Sequence, residues 1–149
     1  MKDNNIKKVK ITDISEIMIE ALNNNNKIII TVSGSSMFPF LLDGKDQIVI
    51  EKKNNFLKAG DIILYKKNNF IIHRIMKKKK HHYVVSGDAL LVKEKVFEEE
   101  ILGYVTEIIK KDETIIVDSN KKYKFKEKLW RRLFFCRRVL LFFLKRLKK

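Results

Sequence analysis

The spacing of hydrophobic residues changes character twice along the chain. Ile14, Ile17, Met18, Ala21 and Leu22 recur at helical intervals. Asp13 and Glu16 stand three residues apart at the head of that run and read as a capping box. The polar stretch 23–26 predicts the helix end. From Lys27 the pattern becomes short β-branched runs at 28–32, 47–51, 61–65, 69–76, 82–86, 103–109 and 114–117. Asp43-Gly44, Ala59-Gly60, Lys67-Asn68 and Gly87-Asp88 punctuate them. Short strands separated by turn residues, with no helices between, predict an antiparallel, mainly β domain. Residues 66–69 read as a hairpin turn and 77–81 as a second, charged hairpin tip.

From Tyr123 the helical period returns. On a helix of about 100° per residue, Leu129, Leu133, Cys136, Leu140, Phe143, Leu144 and Leu147 gather on one side. Arg131, Arg138, Lys145 and Arg146 gather opposite, with Arg132 and Arg137 at the flanks and Phe135 and Phe142 intruding on the basic side. The expected organisation is a helical segment over 1–26, a β domain over 27–120 and a basic amphipathic helix over 121–149.

Composition narrows this picture. A chain of 149 residues with 45% hydrophobic content can bury one core and is not of the disordered class. The single cysteine, Cys136, excludes an internal disulfide framework and a cysteine-based metal cluster. The net charge of +15 is concentrated at one end: residues 121–149 hold thirteen Lys/Arg and one acid, Glu127. The other 120 residues carry twenty basic and seventeen acidic groups, so the body is nearly balanced. With few aromatic residues on basic strands, nucleic acid is not expected as a partner. The first residues lack the apolar stretch of a signal peptide, and no run approaches the ~18 apolar residues of a membrane span.

The densest chemical signal is Val32-Ser-Gly-Ser-Ser-Met-Phe-Pro39, at the end of an expected strand. Gly34 permits a bend that other residues resist and lets another chain approach closely. Pro39 stiffens the exit and Met37 offers an adaptable apolar contact. A serine on such a bend can be exposed beside free amides able to hold an oxyanion. Alone, the motif also fits a polar turn before proline. Farther on, Phe70-Ile-Ile-His-Arg-Ile75 sets His73 on a strand, which alone also fits a hydrogen-bonded core histidine. Val85-Ser-Gly-Asp88, with Glu94 beyond it, supplies two carboxylates. Asp43, Asp46 and Asp61 read as turn formers.

Taken in order, G-x-S-M-x-P, a G-D-I strand, H-R-I and G-D resemble the type I signal peptidases and their LexA-like relatives, over roughly residues 28–109. The resemblance implies the antiparallel β fold of that group and peptide-bond hydrolysis through an acyl-enzyme, without metal or organic cofactor. Ser36 would be the nucleophile and His73, 37 positions later, the base. Histidine stands there in archaeal and endoplasmic-reticulum signal peptidases, where bacterial and LexA-like members have lysine. Imidazole is largely neutral at pH 7 and needs orientation more than desolvation. Asp88, from the Gly-Asp motif, and Glu94, near the acidic member of the histidine type, are both candidates for the orienting carboxylate. The Ser36 amide is the expected oxyanion donor, with Ser33 and Ser35 as alternatives; Ser35 also rivals Ser36 as nucleophile. Gly34, Met37 and Pro39 complete the expected substrate-binding segment.

The implied substrate is a leader or precursor peptide with small residues before the cleaved bond. Residues 123–149, with Trp130 and five phenylalanines, suit an anionic membrane surface or a membrane partner, giving peripheral attachment on the cytoplasmic face. The alternatives are a helix that covers its own domain, a LexA-like regulator that cleaves itself, and an inactive relative that binds membrane surfaces.

Overall fold

The computed structural model describes residues 11–54 and 56–148, with side chains from residue 15 onward. Helix α1 (Ile11–Asn23) begins before the expected Asp13 cap, and the Asp13 side chain of the expected capping box lies outside the described residues. It rests on the sheet through Met18 and Leu22, leaving Ile17 exposed. Eight strands follow: β1 (Ile28–Thr31), β2 (Gln47–Lys52), β3 (Ile62–Lys66), β4 (Phe70–Lys78), β5 (Tyr83–Ser86), β6 (Glu94–Val96), β7 (Ile101–Ile109) and β8 (Thr114–Ile116). All pairings are antiparallel, in the order β1-β2-β7-β3-β4-β5-β6, with β8 added to β7. The mainly β architecture expected from the spacing is the one observed. Strand β6 and a single 3-10 turn at Glu98–Glu100 are additions.

Register breaks at Val49/Ile50, Leu64/Tyr65 and Ile75/Lys77 bend the sheet, because an extra residue on one strand raises its local twist. The sheet is packed on both sides. Ile62 and Leu64 of β3 join Val32, Met37, Leu41, Ile48, Ile50 and Val105 in one core. Their neighbours Ile63 and Tyr65 point into a second, with Leu57, Ile75, Val85, Val96 and Ile101. This alternation is the ordinary period of a strand, and here both faces are apolar.

The C-terminal segment is helical but broken. Asn120 caps α2 (Lys121–Arg132) by accepting from the Tyr123 amide at 2.8 Å. A 3-10 turn at Phe134–Cys136 then leads into α3 (Arg137–Leu147). The break redirects the helix, so the residues turned to the body are Tyr123, Glu127, Trp130, Arg137 and Leu141. A single unbroken wheel instead grouped Leu129, Leu133 and Leu147; of these Leu129 and Leu147 are exposed. No helix among the described residues is long and apolar enough to cross a membrane.

Candidate active site

Ser36 lies on the loop between β1 and β2. Gly34 opens the bend with φ at +86°, a conformation that costs glycine little. Its amide donates to Asp43 Oδ1 at 2.9 Å, so Asp43 ties the two ends of the loop together. Asp46 and Asp61 likewise take the amides of Leu42 and Lys58, as turn formers do. The loop then folds on itself through Phe38 N to Ser35 O and Leu41 N to Met37 O, with a cis bond before Pro39. The amides of Ser33, Ser35, Ser36 and Met37 donate to no protein acceptor among the described residues. Gly34, in contrast, has its amide occupied.

The loop is held from the other side by the segment after β5. The Ser36 carbonyl accepts from Ala89 N at 2.8 Å and lies so close to Gly87 that a Cβ there would sit 2.6 Å from it. Gly87 follows Ser86, the residue paired with Arg74. It therefore stands on the His73 side of that pair. No hydrogen bond joins Ser36 to His73 among the described residues; what links them is this shared position at the end of β5. Beside Ser36 opens an apolar cleft of about 280 Å³, bordered by Ile30, Val32, Met37, Leu64 and Ile72.

His73 is buried on the second-core face of β4. It pairs with Ile63, and Tyr65 pairs with Ile71, so Tyr65 and His73 are diagonal neighbours on one face. The Tyr65 hydroxyl lies 3.0 Å from His73 Nδ1 and donates to Glu94 Oε2 at 2.8 Å. Glu94 Oε1 in turn faces Lys67 Nζ at 3.2 Å. Glu94 thus reaches the imidazole only through Tyr65. Burial holds the His73 pKa below its ordinary value, and the charges of Glu94 and Asp88 partly restore it. The ring is consequently neutral near pH 7. Burial, reinforced by Glu94, pushes the Tyr65 phenol far above its usual range, so it keeps its proton.

Asp88 is engaged elsewhere. Arg74, fully buried on the opposite face of β4, donates Nε to Asp88 Oδ1 at 2.9 Å and Nη2 to Oδ2 at 2.7 Å. Its Nη1 reaches Gly60 O and Tyr123 Oη, and its guanidinium lies over the Phe40 ring at 4.7 Å. The C-terminal helices complete the cage: Trp130 Nε1 donates to Asp88 O at 2.9 Å, and Arg137 Nη1 to Gly87 O at 3.3 Å. Gly87 and Asp88, which lead into the Ala89 amide that holds Ser36, are thereby clamped by residues from β4, α2 and α3. The residue pattern did not reveal Tyr65, Trp130 or Arg137 as neighbours of the site. Arg137 in particular looked like a solvated flank, yet it is fully buried beneath Trp130 and Phe134.

Neither curated proteins nor solved structures gave a match to the chain. The model of the family described as Peptidase S24-like matches residues 2–106, which takes in α1, the Ser36 loop, His73, Asp88 and Glu94. With a serine-bearing loop, a buried histidine and an antiparallel sheet arranged in this way, the chain belongs to the Peptidase S24-like family of LexA-like and signal peptidase-like serine peptidases.

Proposed function

We propose that this protein is a serine endopeptidase that cleaves a leader- or signal-type peptide, with Ser36 as nucleophile and His73 as general base. The observation that carries the reading is the setting of Ser36. It sits on a pinned loop, its amide is unpartnered among the described residues, an apolar cleft opens beside it, and its carbonyl rests on Gly87, just past the Arg74–Ser86 strand pair on the His73 side. Substrate main chain entering the cleft would set a short side chain among Ile30, Val32 and Leu64, which fits small residues before the cleaved bond. His73 takes the Ser36 proton as Oγ bonds to the carbonyl carbon, and the Ser36 amide, aided by Ser35, receives the oxyanion. The C–N bond then breaks as protonated His73 passes the proton to the leaving amine. Water, deprotonated by the same ring, hydrolyses the ester and restores Ser36. Gly34 serves as the bend, Met37 and Pro39 as walls and exit of the segment, and Asp88 as an anchor rather than the orienting acid.

The second half of the reading is peripheral attachment to an anionic membrane surface through residues 123–149. Phe135, Val139, Phe142, Phe143 and Leu147 are exposed beside Arg138, Lys145 and Arg146. Among the described cations of this segment, Arg131 alone has an ion-pair partner, Glu127. Unpaired cations interleaved with exposed phenylalanine suit anionic headgroups, each cation adding about 1 kcal/mol near such a surface. Lys148 over the Phe38 ring and Lys93 over Phe134 link this surface to the Ser36 loop and the segment after β5. A substrate emerging from a bilayer would therefore meet the cleft at once.

The test of the chemistry is a serine-directed covalent probe applied to the wild type, Ser36→Ala and His73→Ala. Labelling of the wild type alone is expected. Labelling of folded Ser36→Ala to the wild-type extent would overturn the assignment.

A further inference from the structure

We propose that Tyr65 is a positioning residue that fixes the tautomer of His73, standing between the imidazole and Glu94 where a carboxylate would otherwise touch the ring directly. The inference rests on the reading of His73 as base and adds how the base is set.

Counting protons fixes the direction of each of these hydrogen bonds. A phenol has one, and Tyr65 spends it on Glu94 Oε2 at 2.8 Å. Glu94 is paired with Lys67 through its other oxygen, and a carboxylate in an ion pair offers only lone pairs. Toward His73, the Tyr65 oxygen can therefore only accept. At 3.0 Å from Nδ1 it requires that nitrogen to carry the hydrogen. The neutral ring then has its lone pair on Nε2, the nitrogen left to receive a serine proton. The same contact holds when the ring becomes cationic. The Nδ1 hydrogen keeps donating to the phenol oxygen, and the Glu94 charge is transmitted through a polarised O–H.

The groups facing this chain come from several elements. They are Glu94 on β6, Lys67 in the β3–β4 turn, Glu100 of the 3-10 turn at 3.9 Å from Lys67, and Asp88 after β5. Asp88 is bound to Arg74, which leaves Glu94 as the carboxylate in hydrogen-bonded connection with the imidazole.

The test uses the full chain labelled with 15N. Long-range 1H–15N spectra of His73, assigned by loss of its signals in His73→Gln, are read above its titration midpoint. The expected wild-type pattern is a protonated Nδ1 and a bare Nε2. Tyr65→Phe should lose that single tautomer and slow Ser36 acylation by the covalent probe by about a hundredfold, the lower end of what a positioned base supplies. Glu94→Gln keeps an acceptor for the phenol, so the tautomer should persist while the His73 midpoint moves to lower pH. This variant touches only a half-buried side chain, and it keeps the test alive if Tyr65→Phe does not fold. An Nε2–H tautomer in the wild type, or an unmoved midpoint in Glu94→Gln, would overturn the proposal. The spectra need no turnover. Peptide cleavage that survives in Ser36→Ala would therefore remove Ser36 as the nucleophile without touching this result.

Discussion

Arg74 and Asp88 form an ion pair closed off from solvent, with Nη2 2.7 Å from Oδ2, on the face of β4 opposite His73. The pair joins the Gly87–Asp88 segment to the sheet, and through Ala89 N it fixes the carbonyl of Ser36. Burial works against the Arg74 charge, but Asp88 and the Tyr123 hydroxyl outweigh it, and the guanidinium stays charged at any workable pH.

Removing one member should thus hurt more than removing both. Asp88→Ala leaves a buried guanidinium without its partner and is expected to cost about 3–5 kcal/mol. The double variant Arg74→Met/Asp88→Leu should recover much of that loss. Urea unfolding of the single and double variants checks this, and a loss below about 1 kcal/mol in Asp88→Ala would contradict it.

Gly87→Ala separates the catalytic loop from the fold. The added methyl would lie 2.6 Å from Ser36 O and 2.9 Å from the Leu90 side chain. Leucine can give way, but a backbone carbonyl moves only with its loop. The expected outcome is a folded protein whose Ser36 labelling falls at least tenfold, followed by circular dichroism and probe kinetics together.

The lowered pKa of His73 gives a pH dependence with a definite sign. The unfolded imidazole binds a proton below about 6.5, while the folded one resists until lower pH. The unfolded state therefore binds more protons between those values, and stability falls as pH drops through that window. Ser36 acylation should show its acid limb in the same range, below 6.5. Glu94→Gln should carry the limb lower still, because Glu94 raises the His73 value.

For the membrane surface, truncation is the wrong instrument. Cutting before Tyr123 would also strip Tyr123, Trp130 and Arg137 from the cage around Gly87 and Asp88. The triple variant Phe135→Ser/Phe142→Ser/Phe143→Ser alters exposed rings only. Wild type should float with vesicles containing anionic phosphatidylglycerol and not with neutral phosphatidylcholine. The triple variant should lose flotation and keep probe labelling. Equal flotation by both proteins would remove the attachment reading.

Much of the fold could be read from spacing because strands and turns announce themselves locally. The turn expected at 66–69 is where residue chemistry placed it, the charged tip expected at 77–81 lies at 79–82 because β4 runs on to Lys78, and seven of the eight strands follow β-branched runs. Strand β6 escaped because Glu94-Lys-Val96 carries one apolar residue and is defined by its partner β5. Ser36 and His73 stood out through motif order. Tyr65 did not, although the tight β3–β4 turn already sets it diagonal to His73; its role depends on a carboxylate three strands away. The C-terminal segment misled for a related reason. A helical wheel assumes one axis, and the turn at Phe134–Cys136 breaks it. Burial of Arg137 follows from carbonyls of Gly87 and Trp130 that only the tertiary fold supplies.

The alternation along β4 carries a consequence for how this chain can vary. Adjacent residues His73 and Arg74 serve opposite faces, so a slip of one residue against β3 would exchange an imidazole for a guanidinium in both compartments at once. The β3–β4 turn sets that register through Lys67 N to Asn69 O, and its length is therefore a quantity that insertions and deletions must leave untouched. The tip between β4 and β5 lies beyond the irregularity at Ile75/Lys77, which can absorb a change in length before it reaches His73. Related chains that keep this chemistry should vary freely at residues 79–82 and hold residues 67–69 to a constant count.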